Sequence, residues 1–174
     1  MKKTLLLSLS LLACTKGAPP PAAPPAATKE PVVVDDCTFA TELVPGIPGS
    51  PGHLLPSEIN PNGASELATL MRTFVAHWKE TRAKLLAGET PPAPRFPGHR
   101  KIRCSWPTDP KDRTEAFDQL AQAYLAAVKA YDAAPSKSTF TGVINGCAAC
   151  HEATCGGPLE LIDSLRLPPE DAGR

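Results

Sequence analysis

The stretch "NGCAACHEATCGG" brings three thiols and one imidazole together in Cys147, Cys150, His151 and Cys155. Zinc, a disulfide, a redox dithiol and a covalently held haem are the chemistries such a cluster can serve. Structural zinc sites draw their ligand pairs from two separated segments, whereas these residues are consecutive along one stretch. A redox dithiol needs a strand-to-helix junction in an α/β sheet, and the chain has no strand alternation of useful length. The order Cys-x-x-Cys-His fits haem attachment. Two thiols three residues apart on a helical turn reach the two vinyl groups on one porphyrin edge, and the imidazole that follows is placed to ligate the iron. The expectation is one haem c, with Cys147 and Cys150 as thioether anchors and His151 as proximal iron ligand.

The compartment fits that chemistry. "MKKTLLLSLSLLAC" has two lysines, an apolar run too short to span a bilayer, and a small residue before Cys14, the layout of a secretory signal. Leu11, Leu12, Ala13 and Cys14 resemble the lipobox of bacterial lipoproteins. That resemblance implies a signal peptide over 1–13, a lipidated Cys14, and a protein anchored to a bacterial membrane and facing the periplasm. Residues 14–35 are dominated by Pro and Ala and read as an extended tether, at about 3 Å per residue. Residues 36–174 then form one helical, haem-binding domain. Lys plus Arg and Asp plus Glu both number 18, and losing Lys2 and Lys3 with the signal leaves a small acidic excess. No basic patch points to nucleic acid.

The elements that must hold the motif are helices. A short β-like run, 31–34, and a Pro/Gly-rich loop over 44–63 come first. From Ser65 to Ala87, Leu67, Leu70, Met71, Phe74, Val75, Trp78 and Leu85 form one stripe at helical spacing, ending at Gly88. Six prolines between 89 and 110 exclude a second long helix there. Asp109 and Pro110 predict the next helix start, with Phe117, Leu120, Ala121, Tyr124, Leu125, Val128 and Tyr131 as its apolar stripe and Pro135 as its stop. A third helix from about Ser138 carries Phe140, Val143, Ile144, Cys147 and His151 on one face. Leu159 to Leu167 supplies a short final helix. The fold class is all-α: a small bundle of three main helices and a short C-terminal one around the haem, with long Pro/Gly-rich loops.

The half that contains "AVKAYDAA" and "FTGVINGCAACH", with "LATLMRTFVAHW" before it, resembles the cytochrome c prime family. The resemblance implies an antiparallel bundle with the haem motif on its last helix and the first helix over the distal haem face. Three features depart from that pattern: the proline-rich segment replaces a helix, Ala148 stands where a basic residue is common, and "CGGPLELIDSLRL" is additional.

Function then turns on the sixth iron position, because a second strong ligand makes an electron carrier and an open apolar face lets small gases bind. Met71 or His99 are the candidate distal ligands, with His77 and His53 behind them. Met71, Phe74, Tyr124 and Ile144 are expected to line the pocket, with Leu70, Trp78, Leu120, Val128, Phe140 and Val143 excluding water. Arg72, Arg100 and Arg103 are candidate propionate partners. Of the remaining thiols, Cys104 with Cys155 is the preferred disulfide, and Cys37 with either is the alternative. The expected function is single-electron transfer between redox partner proteins. The alternative is a five-coordinate haem that takes nitric oxide or carbon monoxide. No nucleophile and base pair stands out, so no enzyme activity is expected apart from the haem itself.

Overall fold

The computed structural model describes residues 37–89 and 94–169. The expected signal, the lipidated Cys14, the tether and the β-like run at 31–34 lie outside them. The described residues are helical and contain no strand, only an isolated antiparallel bridge between Leu55 and Ala64. The all-α class is thus observed.

Helix α1 spans Glu66–Ala87 because both of its ends are specified locally. The Ser65 hydroxyl accepts from the Ala68 amide, and Gly88, at φ 70°, closes the last turn onto Leu85. Ahead of it, Gly49 at φ 92° packs so close that a Cβ there would meet the Glu66 amide nitrogen at 2.5 Å. Only glycine lets the 44–63 loop close against the start of α1.

The proline-rich stretch supplies a short helix, α2, Phe96–His99, followed by a 3-10 turn over Arg100–Arg103. The helix expected from Asp109 starts later. Asp109 caps only a 3-10 turn, Pro110–Asp112, and Thr114 caps α3, Glu115–Ala133, by accepting from the Phe117 amide. The Asp-Pro pair is a true start signal, but Arg113 leaves helical geometry at φ −80°, ψ 79° and ends the turn. A short link then leads to α4, Lys137–Thr154, opened by a capping box in which Ser136 and Thr139 bond each other's backbone. So short a link makes α3 and α4 antiparallel neighbours. The final helix, α5, is shorter than the stretch read for it, Leu159–Asp163.

The core lies where these helices meet. Phe74 and Trp78 of α1, Tyr124, Leu125, Val128 and Tyr131 of α3, and Phe140, Val143 and Ile144 of α4 are all buried, with Ile162 and Leu165 closing the C-terminal side. Leu70, Met71 and Cys147 pack against this cluster half-buried. No helix among the described residues is long and apolar enough to cross a membrane.

The disulfide corrects the expected pairing. Cys37 joins Cys104, with Cα atoms 5.3 Å apart, and Cys155 is an exposed free thiol at the C-terminal cap of α4. The alternative with Cys37 is the one formed: Cys37 is buried, because Arg113 draws in the backbone beside it. One guanidinium nitrogen of Arg113 donates to the carbonyls of Phe39 at 2.6 Å and Thr41 at 2.9 Å.

Candidate functional site

Three anchors fix the path between α1 and α3, and with it the position of His99. The Asp132 carboxylate accepts from the amides of Arg95 and Phe96, the latter at 2.7 Å, holding the start of α2 to the end of α3. Arg103 grips Asp118 through two bonds, at 2.7 and 3.1 Å, and Cys104 is bound covalently to Cys37. The Arg103 guanidinium holds the Asp118 carboxyl below its ordinary range. Arg103, expected as a propionate partner, is committed to this pair.

Between these anchors His99 is driven fully into the core, at 0% exposure. Its ring stacks on Phe74 with centroids 3.8 Å apart and meets Trp78 edge-on. Nδ1 lies 2.5 Å from the Tyr124 hydroxyl and Nε2 lies 3.1 Å from Nδ1 of His77. Burial first, then His77 and Arg95, hold His99 down to about 3, so its imidazole is neutral. His99, expected as a candidate distal ligand, is instead a core residue with both ring nitrogens hydrogen-bonded. The sequence signal for this was weak: an imidazole between Phe96 and Ile102 in a segment whose prolines suggested a surface loop.

Cys147, Cys150 and His151 occupy the last turns of α4. Helical geometry puts the two thiols on neighbouring turns of one side, and neither is in a disulfide. Burial pushes the Cys147 thiol up to about 12, with Cys150 adding to it, and burial also raises Cys150. A redox dithiol or a thiolate zinc ligand calls for the opposite shift. Among the described residues no group of three or more His, Cys, Asp or Glu side chains is gathered as a metal site. Zinc held by Cys147, Cys150, His151 and Cys155 together is therefore not built here.

His151 is half-buried, and its Nδ1 lies 3.0 Å from the carbonyl oxygen of Cys155, one turn on. A carbonyl only accepts, so Nδ1 carries a proton and donates, and in the neutral ring the Nε2 lone pair is then open. Iron-ligating imidazoles are commonly oriented by such a bond from the other ring nitrogen. Two unpaired, protonated thiols followed by an imidazole of this tautomer fit a covalently attached haem.

Of the expected lining residues, Phe74, Tyr124 and Ile144 are core, and Met71 is half-buried against it. Tyr124 approaches the motif closely. A Cβ on Gly146, the residue before Cys147, would stand 3.4 Å from the Tyr124 Cα. His77 is half-buried beside His99 and has its basicity lowered by burial and then by Arg95, while Glu80 opposes. His53 lies exposed in the 44–63 loop. An open cavity of about 430 Å³ is bordered by Leu43, Trp106 and Arg113, and a smaller one of about 110 Å³ by Ile144, Arg166 and Leu167. Neither is lined by the motif.

No family model, no curated protein and no solved structure matches this chain.

Proposed function

We propose that this protein is an exported, lipid-anchored monohaem c-type cytochrome that passes single electrons between redox partner proteins. The observation that carries the reading is the His151 tautomer: Nδ1 donates to Cys155 and Nε2 is left to act as a ligand, directly after two unpaired thiols on one helix. Cys147 and Cys150 would hold the haem and His151 its iron. When bound, that group supplies a one-electron couple. The protein's part is to keep the thiols protonated and unpaired, to orient the imidazole, and to exclude water with Phe74, Tyr124 and Ile144. The low-dielectric surroundings of those residues favour whichever iron state carries less net charge.

His99 supports a second reading. With both ring nitrogens of His99 engaged, Met71 is left as the first candidate for the sixth ligand. Without coordination by Met71, the site is five-coordinate and binds nitric oxide or carbon monoxide.

The visible spectrum of the reduced protein, co-expressed with haem-attachment machinery, tests both. Sharp low-spin bands that ignore carbon monoxide and broaden in Met71→Ala support electron transfer. A high-spin spectrum shifted by the gas replaces that reading with gas binding. Absence of haem absorbance removes both.

A further inference from the structure

A chain of four side chains runs from the middle of the core to its edge, and hydrogen-bond accounting fixes its direction. The Trp78 indole can only donate, so at 3.0 Å it gives its proton to the Tyr124 oxygen. The Tyr124 hydroxyl is buried, and its own proton has His99 Nδ1 as its acceptor at 2.5 Å. Reversing that bond would leave a buried O–H without a partner, which is strongly unfavourable. Nδ1 of His99 is therefore the acceptor, Nε2 bears the ring proton, and it donates to Nδ1 of His77 at 3.1 Å. His77 is half-buried, so the chain ends at the protein's edge.

Such a chain moves a proton outward from Tyr124. Burial raises the Tyr124 phenol well above its ordinary value, so at neutral pH its proton does not leave alone. It leaves readily only when an electron leaves with it.

We propose that Tyr124 is a one-electron relay whose phenolic proton is released through His99 to His77. The step balances as follows. Tyr124 loses one electron to a high-potential, metal-centred one-electron oxidant, and its O–H bond breaks. The proton forms a new N–H bond on His99 Nδ1, and the Nε2 proton of His99 passes to His77 Nδ1. The products are a neutral tyrosyl radical, a neutral His99 of the other tautomer, and a His77 imidazolium. His99 never has to hold the buried charge, which ends on the half-buried ring beside Glu80. Returning an electron to Tyr124 reverses each transfer. The backbone of Tyr124 packs on Gly146, so the relay starts beside the Cys147–His151 motif. Only the identity of the natural oxidant rests on the haem reading; the relay itself does not.

The chain contains two tyrosines, which provides an internal control. Tyr131 is also buried, but among the described residues its hydroxyl has Thr81 beside it and no histidine to take its proton. The test is flash photolysis of the full chain, made with and without haem-attachment machinery, with a photogenerated ruthenium(III) polypyridyl complex as oxidant. Radicals are trapped by freezing and read by electron paramagnetic resonance with ring-deuterated tyrosine. The expected result in the haem-free preparation is a tyrosyl signal, retained in Tyr131→Phe and lost in Tyr124→Phe. His99→Phe slows its formation at least tenfold, and His77→Phe, at a half-buried position that leaves the core intact, slows it severalfold. A signal that maps to Tyr131, no tyrosyl signal, or unchanged rates in both histidine variants would overturn the proposal. Failure here leaves the haem spectrum untouched, and a missing haem leaves this result readable.

Discussion

The Cα of Tyr124 lies in van der Waals contact, 3.4 Å away, with the place a side-chain carbon on Gly146 would occupy. The gap admits a methyl group and little more. Gly146→Ala is therefore expected to raise stability by about 0.5–1 kcal/mol, because glycine inside a helix is intrinsically unfavourable. Gly146→Leu must push α3 from α4 and is expected to cost about 1–3 kcal/mol. Urea midpoints of the two variants check this, and a destabilised alanine variant would mean that the helices pack closer than described.

The His151 tautomer can be read without any haem. Nitrogen-15 shifts of the neutral His151 ring in the haem-free protein are expected to show a protonated Nδ1 and an unprotonated Nε2. The acceptor is the backbone carbonyl of Cys155, so Cys155→Ser is expected to leave the pattern unchanged. A protonated Nε2 would remove the main support for ligation by His151.

Two features were legible from residue order alone, and two were not. Helix α1 was readable because its stripe is bounded by a capping serine and a glycine, both local signals. The helix that carries Cys147 to His151 was readable because Phe140, Val143, Ile144 and Cys147 repeat at helical spacing. The burial of His99 was not, since it depends on Asp132, Arg103 and the disulfide, contacts between residues 15 to 67 positions apart in the chain. The disulfide partner of Cys104 was hidden for the same reason: the 38–63 loop carries no periodicity, and Arg113 sets its path.

The Cys37–Cys104 bond closes a loop of sequence separation 67, for which chain entropy gives about 4 kcal/mol. Replacing both cysteines by serine is expected to lower the unfolding free energy by that order in denaturant titration. Because Arg103 adjoins Cys104, chemical shifts of Arg103 and Asp118 are expected to move as well. Equal midpoints for the oxidised and serine forms would contradict the assigned pairing.

Acid should weaken the fold through His99. Its native value lies near 3, below the ordinary 6.5, so between those values the unfolded chain binds a proton that the native core refuses. Stability therefore falls as pH drops through that window, with a slope of up to about 1.4 kcal/mol per pH unit from this group. Above about pH 6.5 the contribution is flat. His99→Gln, which cannot titrate, is expected to flatten the slope in denaturation curves recorded from pH 4 to 7. An unchanged slope would place the acid sensitivity elsewhere.

The Cys37–Cys104 bond also determines how the domain carries mechanical load. Tension entering on the N-terminal side of Cys37 crosses directly to Cys104, so α1 and both flanking loops sit in a covalently closed bypass that feels none of it. The first structure to bear the pull is instead the 105–114 link and the N-terminal turn of α3. Reduction of one bond would move the load onto the 38–63 loop and α1, which brings Trp78 and His77 of the buried chain into the path of the force.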